Sequence, residues 1–523
     1  MSLAPHDRFA VTPAEAHEPL VLAVDVGSTA TRAGIYDATG RPVGRRAKRA
    51  HAFTSDADGT SQIDPDQVCD EVGEVLDSLT GGADSPRRIA GVAVDTFASS
   101  LVGIDAHGGA LTPCYTYADS RCAAYVSQLR EQLDETAVQQ RTGTRLHTSY
   151  LGPRLLWLQA TQPDVVRRVS RWMSLGEFVQ HRLLGTTVAG TPVASWTGLL
   201  DRRTGRWDSD MLAACGVGAD RFSAVQDPGV PLEGVDRAGV ASRWPALADA
   251  AWFPVIADGL ASNLGTGASD ASTIAVAAAT SGAVRVLVPG IPEQIPSGLW
   301  CYRIDAGRSL LGGALNDVGR LVAWLRTILR VPDDEASLDA VLAAEPDRHS
   351  PVVVPFLTGE RSTGWAASAR AVMAGLSGGT SPEAIFRGSA EGVAVSYARV
   401  VDELTSVAGT STRIVASGRI TQSLPHLLQI LADAVGTPVE HVALKRATLR
   451  GTALLALESL APDIRRASPP VATTYRPQLS RAAHYTAARE HFDTLYAVST
   501  LSSPSSAPSA AREPSTSHVA STS

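Results

Sequence analysis

The stretch Leu20-Val-Leu-Ala-Val-Asp25-Val-Gly-Ser-Thr-Ala30-Thr-Arg-Ala-Gly-Ile35-Tyr36 decides how the rest of the chain is read. Leu20–Val26 is a short apolar run interrupted by Asp25. Gly27-Ser28-Thr29 is a set of small turn formers, and Ala33–Tyr36 resumes the apolar pattern before a second turn at Ala38-Thr39-Gly40. Strand, small-residue turn and strand predict a β-hairpin. Downstream, Asp66–Leu79 places Val68, Val72, Val75, Leu76 and Leu79 at helical spacing, and Ile89–Val94 reads as a buried strand. Short apolar runs alternating with helical patterns indicate an α/β chain.

The opening pattern returns near residue 272. Ser272–Ala279 is an apolar strand, Thr280-Ser281-Gly282 a turn and Ala283–Val288 a return strand, with a further Gly-bearing strand end at Ile414–Gly418. Three aspartates share one setting: Asp25 near the end of the first strand, Asp95 after Gly91-Val-Ala-Val94, and Asp258 after Phe253-Pro-Val-Ile-Ala257. A carboxylate at the end of a buried strand loses solvation and needs compensation. Open α/β sheets put their ligand crevices at the carboxyl ends of strands. Three such carboxylates point to one shared site, although each alone reads equally as a local cap. The turns at 27–29 and 280–282 offer close backbone approach, amide hydrogens and hydroxyls, which suit phosphate. Arg32 stands beside the first turn. A polyphosphate clamped between two lobes, with magnesium on Asp25, accounts for all of these features.

Composition removes several alternatives. Across 523 residues, 46 Lys+Arg are balanced by 53 Asp+Glu, a net charge of −7 that provides no field for a nucleic-acid backbone. Lys48 and Lys445 are the only lysines, and no G-x-x-x-x-G-K-[ST] run occurs, which removes the Walker-type loop. Aromatics at 5% argue against a base-stacking surface. Five cysteines without C-x-x-C spacing read as reduced thiols. The most apolar stretch, Ile274–Pro289, is broken by Thr280, Ser281 and Arg285, so no membrane span is expected. The first nineteen residues lack the apolar core of a secretory signal, and a cytoplasmic enzyme is the expectation.

Asp25-Val-Gly-Ser-Thr-Ala-Thr-Arg32 resembles the first phosphate motif of the FGGY carbohydrate kinases, within the sugar kinase/actin/Hsp70 superfamily. The similarity continues through Asp95-Thr-Phe-Ala-Ser-Ser100, Tyr117-Ala-Asp-Ser-Arg121, Ser195-Trp-Thr-Gly-Leu-Leu-Asp201 and Ala257-Asp-Gly-Leu-Ala-Ser-Asn-Leu-Gly265. It then runs through Thr280-Ser-Gly-Ala-Val-Arg285, Gly312-Gly-Ala-Leu-Asn316, Gly359-Glu-Arg361 and Ala416-Ser-Gly418. These motifs span roughly residues 20–460, and the segments at 117–121 and 359–365 look most similar to gluconokinase-like members.

The resemblance implies two ribonuclease-H-like domains around a central cleft. The expected divisions are a flexible segment at 1–19, an N-terminal domain at 20–262, a C-terminal nucleotide-binding domain at 263–498 and a disordered tail at 499–523. It implies Asp258 as the general base, with Gly27, Ser28, Thr29, Arg32, Thr280, Ser281, Gly282, Asn316, Gly418 and Arg419 around ATP, and Mg2+ on Asp25. Thr96, Asp119, Arg121 and Asp258 would meet the substrate, Arg121 through a sugar-acid carboxylate; the alternative for Asp119 and Arg121 is a mutual ion pair. The implied activity is ATP-dependent phosphorylation of a small carbohydrate, polyol or sugar acid, with gluconate favoured. A pentulose or polyol kinase, or a non-catalytic nucleotide- or sugar-binding regulator, stands as the alternative. Neither nucleic acid nor membrane is an expected partner, and homo-oligomerisation is left open.

Four positions depart from the family pattern: Ala257 before the base, Arg419 where a second glycine is usual, Asp317-Val318 after Asn316, and Ser362-Thr363-Gly364 where a proline is usual. The histidines are scattered and read as surface or satisfied core residues. Leu155, Leu156, Trp157 and Leu158 read as core, Cys114 and Cys122 as buried thiols, and the basic run 45–49 as a solvated strand edge.

Overall fold

The computed structural model describes residues 9–81, 88–347, 349–409 and 411–500. The expected tail therefore lies outside the described residues except for its first two positions, as do the first eight residues of the segment expected to be flexible. Two mixed sheets dominate. The first contains β1 (Val21–Val26), β2 (Ala30–Tyr36) and β3 (Pro42–Ala50), followed by helix α1 (Pro65–Thr80), β4 (Gly91–Thr96), β5 (Ala251–Trp252) and β6 (Ile256–Ala257). Its order is β5-β4-β1-β2-β3, with β6 also on β4. The β1–β2 and β2–β3 pairs are antiparallel, whereas β4 runs parallel to β1, β5 and β6. The expected hairpin is thus β1–β2. The basic run lies on β3 at the sheet edge, where charge discourages further pairing.

Helix α2 (Asp258–Gly265) leads into the second sheet. That sheet contains β7 (Thr273–Ala278), β8 (Gly282–Pro289), β9 (Trp300–Asp305), β10 (Arg308–Leu315), helix α3 (Pro382–Ala408), β11 (Arg413–Ser417) and β12 (Val439–Val442). Helix α4 (Ala447–Leu460), β13 (Val471–Tyr475) and helix α5 (Ala482–Thr500) close the chain. The order is β9-β10-β8-β7-β11-β12-β13. Again a leading antiparallel hairpin, β7–β8, is flanked by a parallel partner, β11. The frame of the first half is repeated in the second.

Strand periodicity explains the layering. Leu22, Val24 and Val26 join the apolar cluster of α1, with Val68, Val72 and Val75; Val21 and Ala23 point the other way, onto Leu449, Ala453 and Leu457 of α4. A central strand covered on both faces must be apolar throughout, as β1 is apart from Asp25. The helix covering that second face comes from the far half of the chain, so the halves are interlocked. Helices α4 and α2 touch backbone to backbone: a Cβ on Gly451 would lie 1.7 Å from the Ala261 carbonyl oxygen, and one on Gly265 1.8 Å from that of Ala447. In the second sheet Ile274, Val276 and Ala278 pack with Phe386, Val393, Tyr397 and Val400 of α3. The insertion between β4 and β5 has its own core around Leu155, Trp157 and Leu158.

Candidate active site

Strand register brings the three aspartates together. Asp25 on β1 sits opposite Asp95 on β4, and Ile256 and Ala257 of β6 pair with Asp95 and Thr96. The chain leaves β6 directly into α2, whose first residue is Asp258. All three carboxylates therefore lie at the carboxyl ends of adjacent parallel strands, the crevice position of α/β sheets.

Their environments differ. Asp25 is buried, and its Oδ2 lies 3.3 Å from Arg32 Nη1. Burial raises its carboxyl above the usual range, against the pull of Arg32. Asp95 is fully enclosed; its Oδ2 accepts from Thr452 Oγ1 on α4, and its Oδ1 has no partner. Burial, then the neighbouring Asp25 charge, pushes the Asp95 carboxyl well up. Two carboxylates face to face in a dry pocket cannot both ionise without a cation. An orphaned carboxylate oxygen beside a second carboxylate fits a divalent ion. Among the described residues no cluster of three or more His, Cys, Asp or Glu could hold a metal unaided. Mg2+ is typically held by one or two carboxylates plus substrate phosphates, so this donor set suits it.

Asp258 is half-buried. Burial raises its carboxyl to about 6, helped by the Asp25 charge and opposed by Arg285 and by hydrogen bonds from the backbone of Gly259 and Ala98. Arg285 of β8 lies against Gly259, and its Nε is buried without an acceptor. Arg361 is a second such cation, its Nε also unpartnered. Tyr117 feels both the Asp258 and Arg361 charges. Around them stand Tyr150 and Tyr302, hydroxyl to hydroxyl at 2.9 Å, and Trp196, stacked on Tyr302 with ring centroids 3.7 Å apart. His147 is held neutral, its pKa pushed down to about 3 by burial and then by Arg361. Trp196 and Asp258 come from the first half, Arg285, Tyr302 and Arg361 from the second. These side chains meet where the two halves join.

The other expected residues fall into two groups. Ser28 and Thr29 are exposed at the first turn, where Arg32 Nη2 donates to Thr29 Oγ1 at 3.1 Å. Thr280 and Ser281 are exposed at the second turn, closed by Ala279 N–H to the Ser281 carbonyl at 2.9 Å, with Gly282 behind them. Gly418 has φ 119°, and a Cβ there would lie 2.2 Å from the Ala278 carbonyl oxygen, so glycine is required beside that turn. Arg419 is exposed and makes no protein hydrogen bond or ion pair among the described residues. Thr96 is buried at the end of β4.

Asn316, Asp119 and Arg121 are committed elsewhere. Asn316 Nδ2 donates to the Thr358 and Gly359 carbonyls at 3.2 and 3.0 Å, pinning the loop that carries Arg361. Asp317 accepts from the Thr358 backbone and hydroxyl and from Arg320, so its carboxylate is already neutralised. Arg121 closes its Nε and Nη2 onto Asp119 at 3.1 and 2.6 Å and lies over the Trp157 ring. Asp119 and Arg121 thus form an ion pair with each other in this structure. Arg285 and Arg361 each keep a buried Nε without a partner among the described residues, and the sequence motifs that contain them give neither a task. The available signal was an arginine inside the apolar strand Ala283-Val-Arg-Val-Leu287.

Two interlocked α/β domains, with carboxylates at the strand ends and glycine-bearing turns from both halves, have the architecture of the actin/Hsp70/sugar kinase type. Residues 20–230 match the N-terminal domain and residues 272–460 the C-terminal domain of the FGGY family of carbohydrate kinases, and the chain belongs to that family. It is 25% identical over 424 residues to the gluconokinase of Bacillus subtilis, covering 77% of this chain and 80% of that one. It is also 26% identical over 500 residues to the glycerol kinase of Nocardia farcinica, covering 91% and 98%. In fold it is similar to gluconate kinase from Lactobacillus acidophilus, with TM-score 0.84 and 24% identity over 92% of this chain and 99% of that one. A ligand-bound xylulose kinase from the same species gives TM-score 0.85 at 23% identity, covering 92% and 98%. No helix among the described residues is long and apolar enough to cross a membrane.

Proposed function

We propose that the protein transfers the γ-phosphoryl group of ATP to a hydroxyl of a small sugar acid of the gluconate type. The observation that carries this reading is the strand register that sets Asp258 beside Asp25 and Asp95 with Arg285 against it; burial there raises the Asp258 carboxyl to about 6. A carboxylate at that pKa is ionised at neutral pH yet basic enough to take a proton, the condition for a general base.

In the step, the substrate hydroxyl oxygen forms a bond to the γ-phosphorus while the bond from that phosphorus to the β,γ-bridging oxygen breaks. The hydroxyl proton passes to Asp258, and ADP leaves with the bridging electron pair. Asp25 and Asp95 would hold Mg2+, which when bound supplies charge neutralisation for the phosphates. The turns at 27–29 and 280–282 supply amide and hydroxyl donors to the phosphate oxygens, and Gly418 leaves room for the nucleotide. Trp196 and Tyr302 wall the pocket with rings that exclude water, limiting wasteful hydrolysis of ATP.

Arg285 and Arg361 favour an acid. Each buried guanidinium leaves an N–H without an acceptor, a cost that a substrate carboxylate would remove with charge-assisted hydrogen bonds. A polyol would leave part of that cost in place, so the pocket discriminates by charge.

A coupled ADP-release assay over gluconate, xylulose and glycerol tests the reading. Gluconate is expected to give the highest kcat/KM, and Arg361→Gln is expected to cut that value by roughly tenfold or more while affecting glycerol little. Turnover of glycerol or xylulose above gluconate would overturn the sugar-acid assignment. No turnover with any substrate, together with tight ATP binding, would mean a regulator in place of an enzyme.

A further inference from the structure

We propose that His51 is a positioning residue for the nucleotide, holding the first phosphate turn in shape from behind as an imidazolium; the inference rests on the reading that residues 27–29 receive phosphate. His51 follows β3 directly, and its side chain is wholly enclosed. Nε2 lies 2.8 Å from the Gly27 carbonyl oxygen and Nδ1 lies 2.8 Å from Glu71 Oε2. A carbonyl oxygen only accepts. Glu71 also receives the Thr31 hydroxyl at 2.7 Å on Oε2 and the Gln67 amide at 2.9 Å on Oε1, the pattern of an ionised carboxylate. With acceptors on both sides, both ring nitrogens must carry protons, and the ring is cationic.

The consequence for the turn follows from peptide geometry. In a trans peptide the carbonyl and the next N–H point in opposite directions. With the Gly27 oxygen drawn onto His51, the Ser28 N–H is turned away from the ring, towards the open side of the turn. That amide has no acceptor among the described residues. The His51 backbone adds a second tie, its N–H donating to the Thr29 carbonyl at 3.1 Å. This second bond survives any side-chain substitution, so a variant loses the pillar and keeps the strand connection. The other charges near the ring are spoken for: Glu74 of α1 pairs with Arg49 of β3, and Arg32 of β2 is directed to Asp25 and Thr29.

His51→Gln retains one donor and removes the charge; His51→Phe removes both. Each is expected to raise the KM for ATP, by about tenfold for Phe and less for Gln, with kcat and sugar KM held within about twofold. In a 15N-histidine NMR spectrum, the signal missing from His51→Gln is expected to be that of an imidazolium at neutral pH. Thermal melting confirms that each variant is folded. Ser28→Pro, which deletes the amide, separates the two levels of the argument. If it leaves the KM for ATP unchanged, the phosphate reading of the turn fails. If Ser28→Pro raises the KM and neither His51 variant does, the inference about His51 fails alone. A neutral His51 ring at neutral pH would also overturn it.

Discussion

The hairpins β1–β2 and β7–β8 occupy the same place in their sheets, yet they carry opposite chemistry. In the first, Asp25 pairs in register with Asp95 across the parallel neighbour and with Arg32 across the hairpin. In the second, the position one residue before the strand end is Ala277, and its parallel partner is Ser417. At this matched position one frame thus gathers negative charge and the other stays small and neutral, the one charge on its hairpin strands being the cation Arg285 on β8. A cleft built from two acidic frames would repel a triphosphate, whereas one acidic frame facing a neutral one can hold a cation and a base on one side and the nucleotide on the other.

Removing the proposed base, Asp258, has the largest expected effect. Asp258→Asn should cost about 10²–10⁴-fold in kcat, with ATP affinity within about twofold by calorimetry. In the wild type, kcat/KM should fall as pH drops through about 6, because the protonated carboxyl cannot accept the hydroxyl proton. The same raised pKa means that the folded state binds the proton more tightly than the unfolded chain, so the Asp258 contribution to stability declines as pH rises from the ordinary carboxylate range to about 6. Asp258→Asn should therefore melt above the wild type at pH 7.5 and lose that advantage below about pH 4.

Making the neutral frame acidic is the converse experiment. Ala277→Asp puts a carboxylate on β7 where Asp25 stands on β1, and ATP affinity should fall by roughly tenfold through like-charge repulsion, most strongly at low salt. Equal affinity would show that the second hairpin lies away from the phosphates. The interlock between the halves is tested by Gly451→Ala, which pushes α4 off the Ala261 backbone behind Asp258 and should cost about 1–3 kcal/mol in denaturant unfolding. The smallest effect belongs to Arg419. It is exposed and without a partner among the described residues, so Arg419→Ala should leave stability within about 0.5 kcal/mol, and a loss of ATP affinity would show that the guanidinium reaches the nucleotide.

Much of this was legible in the chain. The hairpins, the helix at 65–80 and the aspartates at strand ends follow from local pattern, since strand and helix periods are written in nearest neighbours. The structure moved boundaries by a few residues, as at β4, where register with β1 sets the start at Gly91 and not Ile89. Arg121 illustrates what was not legible: an Asp-x-Arg pair reads the same whether the arginine faces a ligand or its own aspartate. His51 is similar, a lone histidine with no spacing to mark it, whose partners lie on a turn 24 residues and a helix 20 residues away in sequence.

By itself, the sequence determined the alternating α/β order, the repeat of strand, small-residue turn and strand, and the carboxylates that end three strands, because each of these depends on residues close along the chain. Only the tertiary structure decided that α4 of the second half closes the first sheet and reaches Asp95 through Thr452. It also decided that Arg285 comes to Asp258 while Arg121 turns onto Asp119. Those choices depend on register and packing between segments hundreds of residues apart, where burial and charge pairing select among arrangements that local pattern leaves equivalent.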